Sequence, residues 1–379
     1  MDAHAVASPF AGKLWLAPLT RGGHLAFRRL CVEQGAFVTV SEMVLVRNLQ
    51  RGKSAEFALL KSHPSEPLFG VQIADRSEAG VAEGARIAEA RGARFVDLNC
   101  GCPIAQITGR GLGASLLRKP RRLGRLVAAM TRAVKLPVTV KLRTGWSAEK
   151  PTVREAARAC EEAGAAAITI HGRSREQRYQ RAADWDLIGS VAAERGIPVV
   201  GNGDVLTHYE ARERMARSGA ASLMLARGAL IKPWLFREIK EARAFEPTAL
   251  ERLALLWRFS GLLREHFGEG ERGRRRILYF LPWHLGFFSR YRPLPEEEYA
   301  LAALESPLIH QRHPLGDQLE PLEALLRDPR QGTHDRLADS LLDASSFDDL
   351  RERASQLCDQ VGAPGEAMEE LCSPGEVAG

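Results

Sequence analysis

Residues 137–171 read PVTVKLRTGWSAEKPTVREAARACEEAGAAAITIH. The opening Pro137–Leu142 is rich in β-branched residues, as strands are. An amphipathic Ala/Arg/Glu stretch, Thr152–Ala163, follows and stops at Gly164; glycine just past the last turn is a common helix end. A second apolar run, Ala166–His171, completes the unit. Strand, helix and strand in this order make a βαβ unit.

The same grammar extends in both directions. β-rich runs recur at Lys13–Leu19, Phe37–Ser41, Leu68–Ile73, Phe95–Asn99, Ile197–Gly201 and Ala221–Ala226, making eight with the two above. Several are nearly continuous in apolar residues, as strands buried on both faces should be. Helical stretches lie between them. Ser77–Arg91 opens on a capping serine and closes at Gly92, and Thr207–Ser218 closes at Gly219. Eight repeats predict an α/β fold, a TIM (β/α)8 barrel with right-handed crossovers. An open doubly wound sheet is the alternative, weakened because no GxGxxG follows the first strand.

The chain has 379 residues, more than one barrel requires. We divide it into a barrel over residues 1–245, a smaller all-helical domain over 246–327, and an acidic C-terminal tail over 328–379, partly disordered. Residues 248–267 read as helix, a basic turn runs from Arg272 to Arg276, and further helix is expected near 295–304 and 318–327. The last segment carries twelve Asp/Glu against four Arg, so a formal net charge of +6 leaves the body at +14. A strongly basic body suits a polyanion such as nucleic acid; a basic, well-solvated surface accounts for the charge equally well.

Six cysteines are scattered without CxxC spacing, so neither a disulfide framework nor a metal site is expected. No apolar run approaches the ~18 residues of a membrane span, and no leader pattern opens the chain. The expectation is a cytoplasmic protein, monomeric, with no membrane partner.

In TIM barrels, chemistry gathers at the C-terminal ends of the strands. Here those ends carry Pro18, Leu19 and Thr20; Glu42; Gln72; Asn99, leading to Cys102; Lys141; His171; Asn202, Gly203 and Asp204; and Ala226, Arg227 and Gly228. Singly, each has a bland role as a core amide, an internal ion pair or a turn. Together they form a polar ring that needs a ligand. The loops after strands seven and eight are a common phosphate site in this fold, and glycines there let backbone N–H groups approach phosphate oxygens. Amides and an ammonium suit a flat ring with imide-like edges. FMN fits, while a nicotinamide or a sugar phosphate stays open on these grounds.

The segments APLTRGGHLAFRRL, VSEM, LNCGCPIAQITGRGLGASLL, VTVKLRTG, IHGRSREQRYQRAADW, VVGNGDV and ARGAL occur in this order. The chain thereby resembles the tRNA-dihydrouridine synthases over about residues 13–295. Within that family, HGRSREQRY and LPWHLGFFSRYRPLP look most like the branch that includes the eukaryotic enzyme acting on a variable-loop uridine, without its zinc-finger extension.

The resemblance implies an FMN-dependent barrel that uses NADPH to reduce uridine in tRNA. It puts cofactor contacts on Pro18, Leu19, Thr20, Gln72, Asn99, Lys141, His171, Asn202, Gly203, Asp204, Ala226 and Arg227. It puts the catalytic acid on Cys102, and RNA-facing residues on Arg173 and Arg175. Leu19 replaces the family's usual methionine, and ARG its usual GRG. Cys100, unusual beside a catalytic cysteine, reads as a packing residue.

From the residues themselves, the stretch 272–292 adds arginines, among them Arg274, Arg275, Arg276 and Arg290, interleaved with aromatics. That composition suits RNA, with aromatics inward and arginines outward. Two other readings compete: a flavin reductase of a small metabolite on the same scaffold, and a non-catalytic RNA-binding relative.

Overall fold

The computed structural model describes residues 8–311 and 319–361. The described residues form nine strands: β1 Trp15–Leu16, β2 Val38–Val40, β3 Val44–Leu45, β4 Leu68–Ala74, β5 Phe95–Cys100, β6 Val138–Arg143, β7 Ala167–His171, β8 Val199–Asn202 and β9 Ser222–Leu225. Every pairing is parallel. β1 pairs with both β2 and β9, β2 pairs with β4, and the remainder pair in sequence. Eight strands therefore close into a barrel, and the two-residue β3 lies outside it against the end of β4. All eight predicted strands exist. The open-sheet alternative is excluded by the β1–β9 pairing, which leaves the barrel no edge.

Apolar side chains fill the N-terminal end of the barrel. Phe10, Trp15 and Phe95 pack together at its N-terminal end, with ring centroids 5.3–5.6 Å apart. Helices cover the outside with their small residues inward. Glu78–Ala90 is capped by Ser77, whose hydroxyl accepts from the Gly80 N–H at 3.1 Å. His208–Ser218 is capped by Thr207 and ends on left-handed Gly219, φ 58°. Each such cap contributes about 1 kcal/mol.

Strand register brings the polar positions together. Asn99 stands beside Lys141, Arg143 beside His171, and His171 beside Asn202. Side chains alternate along a strand. Asp97 and Asn99 therefore share one face of β5, and Thr139, Lys141 and Arg143 one face of β6.

The C-terminal region is helical: Ala249–Phe267, Glu271–Phe288, Glu296–Glu305, Pro321–Arg327, Gln331–Asp343 and Phe347–Val361. The basic stretch at 272–276 is not a turn but the start of the second of these helices. The expected acidic tail also differs, because residues 331–361 form two packed helices. Leu337, Ala338 and Leu341 bury one face of the first, and Leu350, Ala354 and Leu357 one face of the second. That spacing is helical, and the acidic composition masked it. Residues 362–379, where disorder was expected, lie outside the described residues. No helix among the described residues is long and apolar enough to cross a membrane.

Helix Glu271–Phe288 leans on the barrel mouth. Trp283 packs so closely on Gly22 that a Cβ there would lie 3.0 Å from its ring. His24, at the start of helix Leu25–Glu33, approaches His284 with 3.1 Å between Nε2 atoms inside an aromatic box.

Candidate active site

A cavity of about 410 Å³ opens at the C-terminal end of the barrel. Pro18, Leu19, Thr20, Gln72, Asn99, Cys102, Lys141, His171 and Arg227 all line it. A smaller space of about 100 Å³ adjoins it at the ends of β8 and β9, lined by Asn202, Gly203, Asp204, Ala226 and Gly228. The two share Pro18, Leu19, Lys141, His171 and Arg227 in their walls. The structure thus brings together every residue that the sequence assigned to catalysis or cofactor.

One wall is a chain of hydrogen bonds rooted on a buried carboxylate. Thr139 Oγ1 donates to Asp97 Oδ1 at 2.6 Å, and Gln72 Nε2 donates to Asp97 Oδ2 at 2.7 Å. Asn99 Nδ2 donates to Gln72 Oε1 at 2.7 Å. Asn99 Oδ1 then accepts the backbone N–H groups of Cys102, at 3.0 Å, and Gly101, at 3.2 Å. These bonds fix the amide orientations and leave one Gln72 N–H for a ligand. They also pin the thiol-bearing loop from below. From above, the Cys102 carbonyl accepts the Ala114 N–H at 3.0 Å. Gly113, at φ 59°, sits so close that a Cβ would lie 2.7 Å from that carbonyl oxygen.

The Cys102 thiol is half-buried. Burial pushes its pKa up, against the Ile104 N–H, Arg143 and Lys141, which pull it down. It is therefore a thiol at neutral pH, a state from which it can donate a proton. Asp97 is pushed up to about 6 by burial, against Thr139, Gln72 and Lys141.

Lys141 lies across the cavity, its Nζ donating to Asn202 Oδ1 at 3.0 Å. Burial and the nearby Arg143 lower it to about 8. It remains mostly an ammonium at neutral pH, with further N–H groups for a ligand. Burial and surrounding cations hold His171 well below the usual imidazole range. Arg173 Nη1 lies 3.1 Å from its Nε2. A guanidinium only donates, so His171 is neutral, accepts at Nε2 and carries its proton on Nδ1.

The narrow end is built from charge. Asp204, at φ 51°, has a fully buried carboxylate that pairs with Arg173, and with Arg227 at 3.1 Å. Burial opposes its ionisation, but His310 and Arg173 prevail and hold it below the ordinary carboxylate range. His310, from a short 3₁₀ turn of the C-terminal region, places Nε2 3.1 Å from Arg173 Nη2 and 3.3 Å from Asp204 Oδ1. Gly228 packs against the Val205 carbonyl, where a Cβ would come within 2.2 Å. No side chain fits at 228, so backbone is left facing the space.

Two RNA-facing expectations change. Arg173 is wholly buried and spent on Asp204, His171, His310 and the Arg181 carbonyl, so it shapes the narrow pocket instead. Arg274 is clamped to Asp339 at 2.7 Å and Asp343 at 2.6 Å, docking the acidic helix. Arg175 is half-buried over Trp146, Arg275 and Arg276 are exposed, and Arg290 lines the cavity. Cys100 is a fully buried core residue, as expected.

The sequence reading did not single out Arg143, Arg178 and Tyr179 as cavity walls, Asp97 as the root of the amide chain, or His310. Period-two spacing from Lys141 and Asn99 would have found Arg143 and Asp97. Nothing local flags His310, or the placing of Trp283 and Phe287 over the mouth.

The chain is similar in sequence to known proteins. The family model described as dihydrouridine synthase (Dus) matches residues 15–284. A protein of Cryptococcus neoformans named tRNA-dihydrouridine(47) synthase [NAD(P)(+)] is 40% identical over 348 residues, covering 87% of this chain and 47% of its own length. A rice protein named tRNA-dihydrouridine(47) synthase [NAD(P)(+)]-like is 42% identical, covering 75% and 42%. The human protein of that name is 37% identical, covering 87% and 50%. The chain thus spans about half the length of these curated relatives. The chain belongs to the dihydrouridine synthase (Dus) family.

Proposed function

We propose that this protein reduces uridine in tRNA to 5,6-dihydrouridine, using FMN as cofactor and NADPH as electron donor. The observation that carries this reading is the Cys102 thiol, held protonated on a pinned loop of a cavity whose other wall holds the Lys141 ammonium. The relatives' names, all for position 47 of tRNA, make that uridine the first candidate.

The residues fit FMN. Gln72, Asn99, Lys141 and the neutral His171 offer amide, ammonium and imidazole groups to the edge of a flat ring. The narrow pocket offers the Gly203 and Gly228 backbone and the Arg227 guanidinium to a phosphate. When bound, the flavin supplies two electrons as hydride to uracil C6. The chain supplies the rest. Cys102 donates a proton to C5, and solvent returns one to the thiolate. Lys141 holds positive charge at the ring edge, where negative charge develops on reduction. Arg143 and Tyr179 line the space left for the base. A base leaves its stack at a cost of a few kcal/mol, offset by stacking and edge hydrogen bonds.

Purified protein is expected to be yellow, to bleach with NADPH, and to form dihydrouridine in an unmodified tRNA transcript. A colourless protein that makes no dihydrouridine after FMN is added would sink the reading. Reversing charge at Arg275 and Arg276, both exposed, is expected to weaken tRNA binding severalfold and flatten its salt dependence. Unchanged affinity at moderate salt removes these two from the RNA surface.

A further inference from the structure

Tyr279 is the one exposed aromatic among the large exposed side chains of the described residues, at 58%. It stands one turn before Trp283 and two before Phe287 on helix Glu271–Phe288, and both of those line the cavity. Residues four apart share a helix face and rise about 6 Å per step. An aromatic row therefore leaves the cavity and runs outward to solvent.

Arg21 is fixed beside its outer end. This residue directly follows the cavity-lining Thr20 and holds the left-handed conformation, φ 66°. Its N–H donates to Glu42 Oε2 at 2.7 Å. Its Nη2 donates to the Tyr279 carbonyl at 2.9 Å. Its guanidinium carbon lies 4.2 Å from the Tyr279 ring centroid and 5.8 Å from that of Trp283. The cation is thus held against the ring without any carboxylate pairing its guanidinium among the described residues. Exposed Arg272, Arg275 and Arg276 stand on the same helix, with Arg275 in a loose 3.7 Å pair to Glu271.

We propose that Tyr279 and Arg21 form a stacking subsite for a nucleotide adjacent to the reacting uridine, outside the cavity. This rests on reading the substrate as RNA. An exposed aromatic ring beside a planar cation suits a nucleobase, because every base has a π-face that can stack on it. The surrounding arginines suit its phosphates. Continuity with the cavity identifies the base as a neighbour of the one inside.

The test maps the reduced uridine in a tRNA transcript, then measures KM and kcat for wild type, Tyr279→Ala and Tyr279→Phe. Each is also assayed on transcripts carrying an abasic site at the 5′ or the 3′ neighbour. Tyr279→Ala is expected to raise KM on the order of tenfold, with a smaller change in kcat. Tyr279→Phe, which keeps the ring, stays near wild type. One abasic site raises the wild-type KM by a similar factor and adds nothing further to Tyr279→Ala. Wild-type KM indifferent to both abasic sites overturns the subsite, whatever the variants do. So does full additivity at both neighbours, or an unchanged KM in Tyr279→Ala. If wild type makes no dihydrouridine in any transcript, the RNA reading itself fails, independently of Tyr279.

Discussion

The two ends of the active-site cavity are organised by different physics. Around Cys102 the order comes from amides rooted on one buried carboxylate: Asp97, Gln72, Asn99 and the backbone of residues 101–102 form one hydrogen-bonded chain. Around Asp204 it comes from charge: two guanidinium groups and an imidazole converge on a single buried carboxylate. Burial raises the Cys102 thiol, against the pull of Arg143 and Lys141. At the narrow pocket two guanidinium groups face one carboxylate, so positive charge is left over while that carboxylate limits self-repulsion.

The largest expected effect lies on the thiol side. Cys102→Ala should lower dihydrouridine formation by roughly 10²–10⁴-fold, the usual range for loss of a general acid, while flavin absorbance shows that cofactor is still held. Full activity would remove the thiol from the acid role. On the charged side, Asp204→Ala leaves the buried Arg173 and the half-buried Arg227 without their carboxylate. Breaking a buried pair in this way costs about 3–5 kcal/mol, visible as a lower denaturation midpoint of the flavin-free protein. A midpoint unchanged within error would mean that the carboxylate does not hold the cluster together.

Lys141 bridges the two ends and sharpens the contrast through pH. Its folded pKa of about 8 predicts that the ammonium, and kcat/KM with it, falls as pH rises through about 8. Cys102, raised by burial, keeps its proton at that pH. Lys141→Arg should move the alkaline limb upward, and a limb that stays put belongs to another group. The same shift affects stability. Between about 8 and the ordinary 10.5 the unfolded chain binds the proton more readily, so stability drops as pH falls through that window. Asp97 acts with the opposite proton balance: between 3.8 and about 6 the folded state binds more, so stability drops as pH rises through it.

The smallest effect concerns His310, partly exposed at the edge of the charged cluster. His310→Gln should weaken FMN binding by a few-fold, of the order of 1 kcal/mol for one hydrogen bond, measured by flavin fluorescence titration. A loss as large as that of Asp204→Ala would make the C-terminal turn an equal partner in the pocket.

Short, nearly continuous apolar runs and helices stopped by glycine are local properties, so the eight strands and the capped helices Glu78–Ala90 and His208–Ser218 were legible residue by residue. So was the polar rim, because a barrel sends every strand's C-terminal end to the same mouth. Arg173 was misread because the sequence shows a charge next to His171 but not which carboxylate consumes it; Asp204 lies 31 positions away. Arg274 was misread for the same reason, its partners being 65 and 69 positions distant. Local pattern sets which elements form and which way their side chains alternate. Only the packing of the C-terminal helices decided that Trp283 and Phe287 roof the cavity, that His310 joins its charged end, and that Tyr279 is left in the open. These depend on contacts between segments far apart in the chain, which no local periodicity encodes.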